Sequence, residues 1–279
     1  MKNIHVNRIF ITLVLPLLCA LSFLGCAQKS PLKNAALVIE KQGSFAVGGS
    51  VTRQEGVYNS DGFDNFKPYP AGQTYHGDHA YVFYQIPKEA KKLPLVFLHG
   101  AGQSSKTWET TPDGRDGFQN IFLRKGFSVY LVDQPRRGRA GRSAVASNIE
   151  PIADEQMWYE IFRIGAYPDF HEGVQFPKDN ESLNQFFRQM TPNTGAFDAE
   201  IVSDGISALF NEIGAENWRV RLALARLFVE AINRYGGDAT LIELPKIGVY
   251  GNTHFPMSDL NNRQIANLLS DGISKKGLE

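Results

Sequence analysis

Three short stretches of this chain carry residue types that could act on a polar carbonyl or an anion. The first is His99-Gly100-Ala101-Gly102, directly after an apolar run. Small residues in such a turn leave backbone N–H groups able to face an oxygen that gains negative charge. The same residues also suit a plain tight turn. The second stretch, Asp133 to Ser143, holds Arg136, Arg137, Arg139 and Arg142. Such a run fits an anion or nucleic-acid patch, or a solvated loop. The third is His254, a lone imidazole in the polar loop Gly251 to Pro256. A lone histidine is a structural residue as readily as a proton carrier. A serine nucleophile exposed on a strand-to-helix turn stands in G-x-S-x-G, and no serine here does. Ser104 and Ser105 follow the first stretch, Ser143 closes the second, Ser203 and Ser207 fall in a helical pattern, and Ser258 and Ser270 follow His254.

The elements that must position these stretches read as an alternation of strands and helices. Leu93 to Leu98 is a continuous apolar run, and so is Phe127 to Val132. Runs without alternation predict strands buried on both faces, as in a parallel sheet covered by helices. A helix is predicted between them at 117–124. The order strand, helix, strand predicts an α/β fold with a mostly parallel sheet and helices on both faces. Upstream, 36–40 and 44–52 predict a hairpin with Lys41-Gln42-Gly43 as its turn, 60–78 a loop, and 79–86 a strand. Downstream, Ile201 to Ile213 predicts a helix ended by Gly214, and Val220 to Ile232 a second helix ended by Gly236-Gly237. A strand is expected at 239–244 and a last helix at 261–270. Residues 150–200 break this rhythm with many aromatics among Pro and Gly. They predict a cap inserted over the strand ends, or a long loop with a small satellite core.

Composition narrows the function classes. The 279 residues balance 29 Lys+Arg against 29 Asp+Glu, and 43% are hydrophobic. These values exclude a disordered, collagenous or disulfide-scaffold chain, and neutrality argues against nucleic acid as a partner. The N-terminus reads as an export signal over 1–25, with Lys2 and Arg8 ahead of an apolar run from Ile9 to Leu24 that is broken by Pro16. Leu24-Gly25-Cys26-Ala27 resembles the lipobox of bacterial lipoproteins, in which the Cys becomes lipidated. A plain secretory signal is the alternative. The resemblance implies lipidation of Cys26, a tether over 26–35, a domain over 36–279, and a periplasmic or outer-membrane lipoprotein held at a membrane surface. Cys19 leaves with the signal, so thiolate chemistry and Cys-ligated zinc are excluded. No metal and no cofactor are expected.

Taken together, the segments VFLHGAGQSSKTWE (96–109), VYLVDQPRRGRAGRS (129–143) and WRVRLALARLFVEAINRYGGDATLIELPKIGVYGNTHFPMSDLNN (218–262) resemble the α/β-hydrolase superfamily, in particular its secreted or periplasmic bacterial esterases. The resemblance implies hydrolysis of a carboxylic ester. It implies that Gly100 and Ala101 supply oxyanion N–H groups and that His254 is the general base. It also implies a strand-elbow-helix block between Gly214 and Ala215, where this chain passes from helix to helix. That block amounts to three central strands, on the order of 60–100 residues at typical element lengths. The expectation is therefore an internally truncated hydrolase fold with no nucleophile, inactive as written, toward a small-molecule ester. The alternative is a surface lipoprotein that binds a small apolar ligand without catalysis.

Overall fold

The computed structural model describes residues 36–62, 64, 66, 69–213, 239, 240, 242 and 244–278. The expected signal, the tether, Cys26, Gly214 and the helix over 220–232 lie outside the described residues.

The main sheet has four strands: β1 (Ile39–Val47), β4 (Ala80–Pro87), β5 (Leu95–Leu98) and β6 (Val129–Asp133), in the order β1-β4-β6-β5. Two shorter strands, β2 (Ser50–Arg53) and β3 (Thr74–Gly77), pair antiparallel beside it in sequence. β1 with β4 and β4 with β6 are antiparallel, and only β5 with β6 is parallel. The mostly parallel sheet expected from the apolar runs is thus corrected to a mostly antiparallel one. Parallel neighbours need a crossover between them. The β5–helix–β6 unit supplies one, through α1 (Phe118–Arg124).

The two buried runs do what their composition requires. Side chains alternate between faces along a strand. On one face Val129, Leu131, Phe83, Leu95 and Phe97 meet Phe118, Ile121 and Phe122 of α1 and Ile265 and Ala266 of α5 (Asn262–Lys275). On the other, Ala80, Val82, Val132, Val96 and Leu98 meet Ile206 and Leu209 of α4 (Ala199–Glu212). The register aligns Phe83, Leu131 and Phe97 in one row across three strands. Each large apolar side chain buried there contributes roughly 1.5–3 kcal/mol. The result is an α/β fold with helices on both faces of the sheet.

Several boundaries differ from expectation. The predicted hairpin is a single strand, because Lys41-Gln42-Gly43 runs extended along Ile86, Gln85 and Tyr84 of β4. Gly43 lies under the Tyr84 ring, where a Cβ would come within 2.9 Å of the hydroxyl, so this glycine serves close packing. The chain turns later, at Gly48 and Gly49, whose φ angles of 65° and 83° favour glycine. The expected loop over 60–78 contains β3. At 239–244, Ala239, Thr240 and Ile242 have no regular structure, and Leu244 opens a 3-10 turn to Ile247 rather than ending a strand.

Residues 150–200 form α2 (Glu155–Ile161), a two-stranded ribbon of β7 (Gly165–Ala166) and β8 (Asp169–Phe170), and α3 (Asn180–Arg188). These elements surround their own aromatic core of Tyr159, Phe162, Ile164, Val174, Phe176 and Phe186, which Phe255 joins from the C-terminal region. Asp179 caps α3 by accepting from the Ser182 N–H, and Asp198 caps α4 by accepting from the N–H groups of Glu200 and Ile201. Such caps stabilise a helix by about 1 kcal/mol each.

Candidate active site

β5 ends at Leu98 and delivers His99 into the interior, followed by the exposed Gly100 and Ala101. The His99 ring is buried and both its nitrogens are engaged. Nε2 accepts the Gln134 N–H at 3.1 Å, so the ring proton sits on Nδ1, which donates to the Gly100 carbonyl at 2.9 Å. The Gln134 side-chain amide donates to the His99 carbonyl. Burial pushes the His99 pKa down and keeps the imidazole neutral. The Gly100 carbonyl also accepts from Arg137 Nη1 at 3.0 Å, and the Gly102 carbonyl accepts from the Thr191 N–H at 3.1 Å. A Cβ added to Gly100 would meet nothing within 4 Å, so the outer side of this turn is open.

Half of the arginine run, Arg136 and Arg137, is buried. Asp133, at the end of β6, is 1% exposed and accepts from the Ser105 N–H at 2.6 Å and from the Arg139 N–H and Nε at 3.1 and 2.9 Å. Burial alone would raise its pKa, but these bonds outweigh it and hold the carboxyl below the usual range. Arg136 makes a two-pronged pair with Asp78, both bonds 2.8 Å, and a further bond to the Ala196 carbonyl. The Arg139 and Arg142 guanidiniums lie over the rings of Tyr81 and Tyr75 at 4.4 and 4.3 Å. Each guanidinium thus has a different partner, with Arg136 and Arg137 buried and Arg139 and Arg142 exposed.

The serines near the turn are engaged in this same network. Ser105 Oγ accepts from Arg139 Nη2 at 2.7 Å, and Ser104 opens the 3-10 turn Ser105–Trp108. Ser143 Oγ donates to the Val145 carbonyl, and Ser258 is buried with its Oγ facing the Thr107 carbonyl. Among the described residues, no serine hydroxyl is hydrogen-bonded to a histidine ring.

His254 is carried by a loop that a buried carboxylate organises. Asp259 is fully buried and accepts from the Thr253 N–H and hydroxyl, both at 2.8 Å, and from Asn252 Nδ2 at 2.9 Å. Burial pushes its pKa up despite these bonds. The Arg115 guanidinium donates to the carbonyls of Ser258, Asp259 and Leu260 and pins the loop from outside. The His254 N–H donates to the Phe162 carbonyl at 3.0 Å, and its ring stacks on Phe162 at 5.7 Å. Partial burial and the nearby Arg163 push its pKa down. No carboxylate among the described residues bonds to its ring.

The Gly100–Ala101 turn and His254 are both contacted by the 150–200 segment. Thr191 and Met190, just past α3, touch Gly102, while Phe162, just past α2, carries His254. Met190, Phe162 and Phe255 share one aromatic cluster. Among the described residues no hydrogen bond joins the turn to His254. The supporting residues Asp133, Asp78, Asp259 and Arg115 carried no motif.

No protein-family model matches the chain. A solved structure described as that of a novel bacterial esterase is similar over 88% of this chain and 99% of its own, with a TM-score of 0.67 and 28% sequence identity. A stretch of 70 residues is 43% identical to a probable secreted lipase of the fungal strain ATCC 74256. That stretch covers 25% of this chain and 19% of the lipase, so the chain spans about a fifth of that relative. The turn after β5, the helices on both faces of the sheet and the likeness to the esterase agree on one point: the chain has a hydrolase-like α/β fold.

Proposed function

We propose that this protein is an exported α/β-hydrolase-like protein that recognises carboxylic esters of small molecules and does not turn them over. The observation that carries this reading is the turn at Gly100-Ala101. Its carbonyl is pinned inward by His99 and Arg137 while its outer face stays open. An ester carbonyl docked there would meet backbone donors. The bacterial esterase and the secreted lipase support an ester-directed, exported protein.

Absence of turnover follows from the nucleophile. No serine stands in G-x-S-x-G, and Ser104, Ser105, Ser143 and Ser258 are committed to other partners. His254 also has no carboxylate to orient it among the described residues. Donors alone polarise a carbonyl weakly compared with a complete triad. In this reading an internal strand-elbow-helix block is missing after Gly214, residues 150–200 cap the site, and Cys26 carries the lipid that holds the protein at a membrane surface.

The test is hydrolysis of 4-nitrophenyl acetate and butyrate by the full chain and by His254→Ala. The expected rate is equal in both proteins. Turnover that disappears in His254→Ala overturns the inactive reading and assigns His254 as the base.

A further inference from the structure

The Gly100–Ala101 peptide is held by an arrangement that a simple turn does not require. Its carbonyl accepts two bonds from the interior, from His99 Nδ1 at 2.9 Å and Arg137 Nη1 at 3.0 Å. His99 is itself locked in one tautomer by Gln134. Arg137 is 9% exposed, and among the described residues no carboxylate forms an ion pair with it and the Gly100 carbonyl is its side-chain hydrogen-bond partner. The neighbouring arginines, by contrast, each have an aspartate: Arg136 has Asp78 and Arg139 has Asp133. A buried guanidinium without a counter-charge is costly, and its direction here is specific.

A peptide is planar and trans, so its C=O and N–H point in opposite directions. Pinning the Gly100 carbonyl inward therefore aims the Ala101 N–H away from the His99 and Arg137 donors, and Ala101 itself is exposed. A charged donor on the carbonyl also polarises the peptide and strengthens its N–H as a donor.

We propose that Arg137 is a positioning residue that acts through the Gly100 carbonyl, with His99, to present the Ala101 N–H to a carboxylate or ester carbonyl oxygen of a small ligand. Arg137 need not touch the ligand. Its uncompensated charge selects the anionic ligand over a neutral one of the same shape. The proposal rests on the reading of this turn as the carbonyl-facing part of a hydrolase-like site.

The experiment is titration of the ¹⁵N-labelled full chain with butyrate and with butanamide, following the Ala101 amide resonance. It is run on the wild type, Arg137→Met, and the charge-retaining Arg137→Lys. In the wild type, butyrate should shift Ala101 saturably and bind at least tenfold more tightly than butanamide. In Arg137→Met the two ligands should bind within about twofold of each other, with the butanamide Kd unchanged. Arg137→Lys should recover most of the preference for butyrate. A loss of affinity for both ligands in equal measure would mean a merely structural role and overturn the proposal. So would an Arg137→Met protein that still prefers butyrate tenfold. If Arg137→Met does not fold, Arg137→Gln, which keeps a donor without charge, decides the same question by the same ratio. A wild-type Ala101 resonance that neither ligand moves overturns the reading of the turn itself, and the proposal with it.

Discussion

The Asp133 carboxylate accepts the Ser105 N–H at 2.6 Å and so ties the end of β6 to the 3-10 turn that follows the Gly100–Gly102 loop. Two strand ends that must present a single site are joined by one buried acid. The same carboxylate holds Arg139, which reaches back to Ser105 Oγ.

Replacing Asp133 by Asn tests that tie. One of its oxygens becomes an NH₂ facing N–H donors, so buried donors lose their acceptor. We expect a loss of about 2–3 kcal/mol, as for leaving buried polar groups unsatisfied. Urea unfolding of the two proteins measures it. Gly138→Ala should act on the same knot, because its Cβ would come within 2.9 Å of Asp133 Cγ at a φ of 50°. Overpacking of this kind costs about 1–3 kcal/mol. Stability of either variant within about 0.5 kcal/mol of the wild type would contradict the assignment.

The Asp78–Arg136 pair is separated by 58 positions in sequence and nearly excluded from water. Removing either partner leaves the other charged and buried, so Asp78→Asn and Arg136→Met should each cost about 3 kcal/mol or more. The double variant should lose less than the sum of the two. A cycle of four unfolding curves gives the coupling energy, expected at about 1–3 kcal/mol. Additive losses would mean that the pair contributes nothing as a pair.

His99 makes stability depend on pH near neutrality. Burial holds its folded pKa below the ordinary 6.5. The unfolded chain therefore takes up a proton first as pH falls. The contribution of this group is complete above about pH 6.5 and is lost as pH drops toward the lower, folded value. Asp133 and Asp78, held below the usual carboxylate range by their hydrogen bonds, add a second loss only below about pH 4. His254 titrates in the same direction as His99. Urea midpoints between pH 5 and 7.5 should fall toward acid in the wild type and fall less steeply in His99→Gln. Parallel slopes in the two proteins would show that His99 is not responsible.

Phe162 links the aromatic core of residues 150–200 to His254. Its ring stacks on Trp158 at 5.1 Å and on His254 at 5.7 Å, and meets Phe255 edge-on at 4.6 Å. Phe162→Ala should destabilise by about 3–5 kcal/mol, as for other large-to-small aromatic deletions in a core. Phe162→Leu should cost less and still remove the stack. In that variant the His254 pKa should rise toward 6.5, because burial is what depresses it. NMR titration of the imidazole protons reads this directly, and an unchanged pKa would assign the depression to Arg163 instead.

Which parts of this molecule were readable in its sequence follows from how each is encoded. β5 and β6 are short apolar runs bounded by Gly and charged residues, and both are where the pattern puts them. The direction of pairing is not written in composition, so the antiparallel join of β4 to β6 was missed. β1 was misread because Lys41-Gln42-Gly43 has turn-like residues, yet it forms the exposed edge of the sheet, where polar side chains suit water. His99, Gly100 and His254 stood out by type. Arg136 and Arg137 stood out only as part of a run that fits an anion patch or a solvated loop, and the Asp78 that pairs with Arg136 lies on the far side of β4 to β6 in the chain. Asp259 was hidden for a different reason: a carboxylate five residues after a histidine has no motif, and its role is visible only once the loop folds back.

The position of β5 bears on how the protein behaves in the tube and the cell. Among the described residues Leu95–Leu98 has a ladder partner on one side only, and all four side chains are half-buried. An apolar strand left without a partner on one side is a template for another chain's strand, so this edge depends on what covers it. Recovery of soluble material should then fall with protein concentration and expression temperature even when the melting temperature is ample.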